Sequence, residues 1–261
     1  MQEITDETYK NWHETYIRCT TEKAKVDAAL SKAVSSLPRR EAFLDVGAGD
    51  GDLTFRLAKN FKRVTVVEPN KNVRRTFEKK GAEFIEGYFE QADLGDRKFD
   101  FILCSHVFWL VRREKQPDFI RKMYKHLAPS GKLSIIMVSP LGQSHEFYKK
   151  FFFGYSTTTH DVLKDLHVMG LPAEVLPISF EFKTPVYEDF FNICKLFTLE
   201  SWLHPVNISD DRIKREIGDV QKYTENKLGE ISAFIKKECR RGNEYVMNEE
   251  VDVLLVPREQ P

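Results

Sequence analysis

Apolar and polar positions in this chain follow two rhythms. Helical spacing governs the first 36 residues: Tyr9, Trp12, His13 and Tyr16 share one face, and Thr20, Thr21 and Glu22 open a second helix over 23–36. Short apolar runs then take over. Phe43 to Val46, Arg63 to Val67, Ala82 to Glu86, Phe99 to Cys104 and Lys132 to Val138 read as strands. Helical segments separate them: one from Leu53 through Leu57 and Ala58, a charged one over 71–80, and one over 116–127. Strands alternating with helices predict an α/β chain with a largely parallel sheet and flanking helices.

From residue 139 the alternation breaks. Residues 140–154 carry Phe147, Tyr148, Phe151, Phe152 and Phe153. Thr157-Thr158-Thr159 precedes a helix over 161–169, which Gly170-Leu171-Pro172 stops. Residues 173–182 read as a strand pair or an edge, 190–202 as an aromatic helix, and 208–240 as mostly helical and charged. A last strand over 250–256 returns to the sheet. The pattern predicts a core with N-terminal helices over 1–139, an inserted lobe over 140–249, and a final strand and tail over 250–261. The aromatics of the first helix either pack it onto the domain or form a lid. Those of the insert form either a small core or the walls of an apolar pocket.

Composition narrows the class. The chain has 261 residues, enough for one large α/β domain with a lid, and its 40 basic residues cancel its 40 acidic ones. That balance argues against a nucleic-acid partner, though not against a local basic patch. No apolar run reaches membrane-spanning length and the N-terminus is polar, so neither membrane nor signal peptide is expected. The four cysteines, Cys19, Cys104, Cys194 and Cys239, are scattered without a C-x-x-C pair, which suggests reduced thiols in a cytoplasmic protein. No His/carboxylate cluster has metal-ligand spacing. A monomer acting on a small molecule is expected.

The candidate chemistry starts at Asp45-Val46-Gly47-Ala48-Gly49-Asp50-Gly51. A strand, a glycine turn and a helix make a nucleotide-binding corner, and the glycines let a ligand approach the main chain. Glu68, at the end of the next strand, is placed to accept both hydroxyls of a ribose. The loop has no Gly-Lys-Ser/Thr, so it is not a phosphate-cradling P-loop. Its third glycine comes one residue early for the dinucleotide fingerprint. Asp45 and Asp50 would repel a pyrophosphate but suit a positively charged nucleoside.

The stretch thus resembles the first motif of class I S-adenosylmethionine (SAM) methyltransferases. That resemblance implies a Rossmann-like sheet and SAM as cofactor, held around Asp45, Gly47, Ala48, Gly49, Gly51, Glu68 and Pro69. Tyr88 falls where many methyltransferases carry an acid on the adenine amino group, so stacking by Tyr88 or Phe89, or a bond from Gln91, would replace that contact. Leu127-x-Pro129-x-Gly131 before an apolar strand is also typical of that core.

The chain further resembles histamine N-methyltransferase and its relatives. Residues 9–22, from Tyr9 to the Thr20-Thr21-Glu22 close, match that family's opening in length and in its aromatics. The resemblance extends to Ser105-His106 and Trp109 after the fourth strand, to Glu146-Phe147-Tyr148-Lys149-Lys150, to 158–163 and to 171–174. It implies that Tyr9 lines the substrate site and that Glu22 holds the substrate. It places Ser105 on a cofactor contact, His106 on a glutamine facing the substrate, and Trp109 on an active-site tyrosine. Tyr148 replaces a tryptophan and Glu249 an asparagine that meets the substrate. Trp12 joins the same aromatic wall.

The implied reaction is transfer of the sulfonium methyl to a nitrogen of a small amine or imidazole. Glu22 would orient the acceptor through a charge-assisted hydrogen bond, with cation–π support from Tyr9, Trp109 and Tyr148. His106 is a candidate base, donor or structural imidazole. Two other readings stand beside this one: an O- or carboxyl-methyltransferase using His106 as base, and a SAM-binding module without catalysis.

Overall fold

The computed structural model describes residues 6–151, 157–203 and 220–259. Its elements follow the predicted order. α1 (Asp6–Cys19) and α2 (Glu22–Ser35) precede β1 (Ala42–Val46), α3 (Asp52–Ala58), β2 (Arg63–Glu68), α4 (Arg74–Lys79), β3 (Glu83–Glu86) and β4 (Phe99–Ser105). Next come α5 (Gln116–Lys125), β5 (Leu127–Val138), α6 (Gln143–Phe151), α7 (Thr159–Val168), β6 (Glu174–Thr184) and α8 (Tyr187–Leu203). The chain closes with α9 (Val220–Phe234), β7 (Arg240–Arg241) and β8 (Glu244–Pro257).

The strands form one sheet in the order β3-β2-β1-β4-β5-β8-β6, with β7 paired to β8. The pairs from β3 to β5 are parallel, and β8 runs antiparallel to β5. This is a Rossmann-like α/β fold with a mixed sheet and flanking helices, as the alternation of strands and helices predicts. The chain builds outward from β1 through β2 to β3, then returns to the other side of β1 as β4. The carboxyl ends of β1 and β4 therefore flank the point where strand order reverses, where open sheets of this kind bind ligands.

The molecule divides into two compact units. One comprises 24–140, 157–178 and 251–261; the other comprises 1–23, 141–156 and 179–250. This differs from boundaries drawn along the sequence, because 1–23 groups with the lobe and 157–178 with the core.

In the core unit, β1 is buried along all five residues, so its run carries no alternation. One cluster joins Leu44, Val46, Ile102, Cys104, Leu133, Ile135 and Leu254 to Phe119, Ile120 and Met123 of α5 and to Val162 and Leu166 of α7. A second gathers Val66, Phe77 and Phe84, with Phe55 packed against it. Asp100, which begins β4 beside Phe99, is a structural clamp. Its Oδ2 accepts the backbone N–H groups of Glu41 at 2.7 Å and Ala42 at 3.0 Å, tying β1 to β4 at their starts.

In the other unit the phenylalanines form a core of their own. Phe147, Phe151 and Phe234 meet with centroids 4.9–5.7 Å apart, and Phe182 stacks on Phe190 at 4.5 Å.

Several boundaries differ from the sequence reading. Residues 71–80 begin as a 3-10 turn, Lys71–Val73, before α4. β5 starts at Leu127, because the Pro129-Ser130-Gly131 turn is taken up as an irregularity between Phe99 and Phe101 in the pairing with β4. Of the two readings of 173–182, a strand pair or an edge, the edge holds: β6 is a single strand at the end of the sheet. α6 was not foreseen, since its aromatic run reads equally well as pocket wall. β8 begins at Glu244, six residues early, because the Gly242 turn lets it pair with β7. Phe152, Phe153 and residues 208–219 of the mostly helical stretch predicted over 208–240 lie outside the described residues.

Candidate cofactor cradle and acidic pocket

The glycine loop leaves β1 at the reversal point. Gly47 donates its N–H to Val67 O at 2.8 Å and adopts a φ of 72°; Gly51 caps α3 with a φ of 81°. Neither position tolerates a Cβ in its present setting. At Gly47 it would lie 2.5 Å from Val107 Cγ2, and at Gly51 2.6 Å from Phe55 Cε2. Gly49 is different: its φ is 54° and a Cβ there would meet nothing within 4 Å. The loop is packed at both ends and open at its middle, the shape of a cradle that a ligand touches through main chain.

Glu68 closes β2 and turns into this cradle. Its Oε2 accepts the Gly49 N–H at 3.0 Å and its Oε1 accepts the Asn70 N–H at 2.9 Å. Each oxygen keeps a further lone pair, so Glu68 can hold the loop and accept from a sugar hydroxyl. Asp45 lies deeper. Its carboxyl is buried and accepts the Thr54 hydroxyl at 2.6 Å, which joins β1 to α3. Burial pushes its pKa up to about 7, against the lowering effect of the Thr54 hydrogen bond and with a further rise from the Glu68 charge. Asp50, by contrast, is exposed and accepts the Asp52 N–H at 3.0 Å at the start of α3. Acids around an open backbone cradle fit a sulfonium nucleoside and oppose a diphosphate.

The other cofactor candidates divide. Tyr88 is 51% exposed after β3, whereas Phe89 is buried in the core against Phe119 at 5.1 Å, with Lys122 over its ring. Phe89 is therefore no stacking platform, whereas the Tyr88 ring is open to solvent. Ala48 packs partly against the Phe77 cluster and Pro69 is exposed. Ser105 ends β4, half-buried, opposite Ile136. His106 follows with a φ of 56°, a conformation that few residues other than glycine adopt, and donates its N–H to Ile136 O at 3.0 Å. Trp109 sits half-buried in the 3-10 turn Phe108–Leu110. Gln116 braces that turn: its Nε2 reaches Phe108 O and Val111 O at 3.0 Å and Thr157 Oγ1 at 2.7 Å.

Glu22 and Glu249, the acids expected at the substrate, both lie in the other unit. Glu22, the first residue of α2, is buried, and the Tyr16 hydroxyl donates to its Oε2 at 2.6 Å. Its own N–H is taken by Thr20 Oγ1 at 3.2 Å. Glu249 of β8 is also buried, and burial followed by the charge of Glu22 pushes its carboxyl up to about 8. Tyr16 is raised well above its usual range by burial, then by Glu22, Glu249 and Tyr148 in turn. Aromatic rings wall the group. Tyr16 meets Phe197 edge-on at 5.0 Å and Phe182 at 6.0 Å, and Tyr148 meets Phe197 at 6.4 Å. Trp12 is half-buried under the Lys195 ammonium, 4.9 Å from its ring. The Tyr9 side chain lies outside the described residues.

Sequence reasoning missed Thr54 as the partner of Asp45, Val107 as the wall behind Gly47, and Tyr16 as the donor to Glu22. Helical spacing already set Tyr16 on the aromatic face; its hydroxyl reaches Glu22 only because the chain turns between α1 and α2. Among the described residues, no group of three or more His, Cys, Asp or Glu is placed to hold a metal ion, and no helix is long and apolar enough to cross a membrane.

The fold is the one that class I methyltransferase structures share. Residues 44–135 match the family described as "Methyltransferase domain", and SAM is that domain's cofactor. Among curated proteins, an uncharacterised methyltransferase of Staphylococcus carnosus is 33% identical over 94 residues. The match spans 36% of this chain and 45% of that protein, so the chain covers less than half of the relative's length. Among solved structures, a candidate methyltransferase from Bacillus halodurans superposes with a TM-score of 0.59 at 19% identity, over 90% of this chain and 99% of that one. A phosphoethanolamine N-methyltransferase of Haemonchus contortus, solved with phosphomonomethylethanolamine and S-adenosylhomocysteine, gives 0.53 at 15% identity, over 90% and 52%.

Proposed function

We propose that the chain transfers a methyl group from SAM to a nitrogen of a small amine or imidazole-type metabolite. The observation that carries this reading is the buried Glu22 carboxylate, oriented by the Tyr16 hydroxyl and walled by aromatic rings. A buried carboxylate is costly unless a cation or strong donor meets it, and aromatic faces favour the same kind of guest. The Haemonchus neighbour acts on an amine, which agrees with the reading.

SAM supplies an electrophilic methyl on a sulfonium, already a good leaving group. The residues of this chain then have three tasks. Gly49 and Glu68 present main chain and carboxylate to the nucleoside. Glu22, with Tyr16 behind it, orients the acceptor. The aromatic walls exclude water, and alignment of the two partners supplies most of the rate.

The test is Glu22→Gln, assayed with labelled SAM and a panel of amines, alongside the product labelled from a metabolite extract. The proposal expects methyl transfer to fall by at least about a hundredfold with SAM affinity unchanged. Retained activity would instead favour an O- or carboxyl-methyltransferase with His106 as base. Tight SAM binding by the wild-type chain with no transfer to any acceptor would favour a non-catalytic module.

A further inference from the structure

Gln116, Phe119 and Lys122 stand three residues apart and run down one side of α5. Gln116 holds the turn after β4 through Phe108 O and Val111 O. Phe119 packs edge-on against Phe108 of that turn at 5.5 Å and against Phe89, after β3, at 5.1 Å. Lys122 completes the row. Its Nζ donates to Phe89 O at 2.7 Å, Glu90 O at 3.1 Å and Ala92 O at 2.7 Å, and lies 5.0 Å from the centre of the Phe89 ring. An ammonium has three N–H donors, so all of them go to main chain and none to an acid. Water can satisfy the carbonyls of a surface turn, whereas gathering three of them on one half-buried lysine costs that side chain its freedom. The turn is also closed by its own bonds, Gln91 N–H and Ala92 N–H donating to Tyr88 O at 3.0 and 3.1 Å. It is held more tightly than a connecting loop requires.

The turn begins beside the cradle. β2 and β3 pair Glu68 with Glu86, and Gly87 donates its N–H to Glu68 O at 3.2 Å. Glu68 in turn accepts the Gly49 N–H through its side chain. Next in the chain stands Tyr88, with its ring open to solvent. We propose that Lys122 is a positioning residue for the cofactor: it preforms the 88–92 turn, so that Tyr88 presents its ring to the purine of SAM before SAM arrives. The proposal rests on the reading of Tyr88 as a stacking platform and names the side chain that sets it. Lys122 acts through the main chain of the turn. Phe89 supplies the anchor, because its buried ring fixes the backbone from which the exposed Tyr88 ring projects. A turn ordered in advance spares the cofactor the entropy of ordering it on binding.

The experiment is a double-mutant cycle on the full chain, with S-adenosylhomocysteine affinity read by isothermal titration and amide hydrogen exchange followed at Gln91 and Ala92. Tyr88→Ala is expected to weaken binding about tenfold, the loss of one base–aromatic stack. Lys122→Met is expected to speed exchange at both amides and to weaken binding about fivefold in the wild-type background, but less than about twofold in the Tyr88→Ala background. Equal loss in the two backgrounds would show that Lys122 only supports the fold, and overturns the proposal, as does undiminished binding by Lys122→Met. Wild-type binding by Tyr88→Ala overturns the stacking platform and the proposal with it, leaving the cradle standing. Failure of the wild-type chain to bind S-adenosylhomocysteine overturns the cradle as well. If Lys122→Met does not fold, exchange in the wild-type chain decides. Slow exchange at Gln91 and Ala92 without ligand supports a preformed turn, and slowing that comes only with S-adenosylhomocysteine overturns it.

Discussion

Gly47→Ala is the perturbation whose cost is best defined by the geometry. Gly47 holds a φ of 72°, and an alanine Cβ built there falls 2.5 Å from Val107 Cγ2. The left-handed backbone costs an L-residue about 1 kcal/mol. Val107 cannot yield easily, because its branched side chain is stiff about χ1, and displacing it costs about 2 kcal/mol. Alanine recovers about 0.5 kcal/mol by restricting the unfolded chain. The net loss is therefore about 2.5 kcal/mol in the wild-type background. With Val107→Ala the clash disappears, and the same substitution costs only about 0.5 kcal/mol by the same terms. A double-mutant cycle by urea unfolding, with slopes compared to confirm two-state behaviour, measures a coupling of about 2 kcal/mol. Equal cost of Gly47→Ala in both backgrounds would refute the reasoning, for it would show that Val107 does not wall the loop.

Two further predictions concern the cradle. Glu68→Ala removes the acceptor for the Gly49 and Asn70 N–H groups, so SAM affinity by calorimetry should fall by about a hundredfold, the loss of a charge-assisted bond and of loop order together. Asp45 is protonated more readily folded, at about 7, than unfolded, near 3.8. The native state therefore binds the extra proton, so stability is highest below about pH 4, falls as pH rises toward about 7, and is level beyond. Thermal midpoints of Asp45→Asn should lack that particular slope; an unchanged pH profile would show that Asp45 is not the titrating group.

The core was legible because its elements carry local patterns. β1 is buried throughout and β4 in all but its last residue, so each reads as an apolar run broken only by an acid, and Glu68 is found from one helix and one strand of spacing. The lobe was less legible. Its strand ends and α6 depend on pairing and packing across long sequence separations, as when Gly242 turns β7 back onto β8. Phe89 shows the limit within the core. Its sequence places it beside Tyr88 in one loop, and only the packing of Phe119 and the passage of Lys122 decide that one ring is core and the other exposed.

By itself the sequence determined the alternation of strands and helices, the glycine corner and the acid that answers it, because periodicity and local backbone freedom need no distant partner. It named Glu22 and Glu249, 227 positions apart, only as separate candidates. That both are buried, with the Tyr16 hydroxyl donating to Glu22 and burial raising the Glu249 carboxyl, was decided by tertiary structure alone. The physical reason is that desolvation and charge coupling belong to the folded surroundings of a group, and a carboxyl's neighbours in the chain do not reveal its neighbours in space.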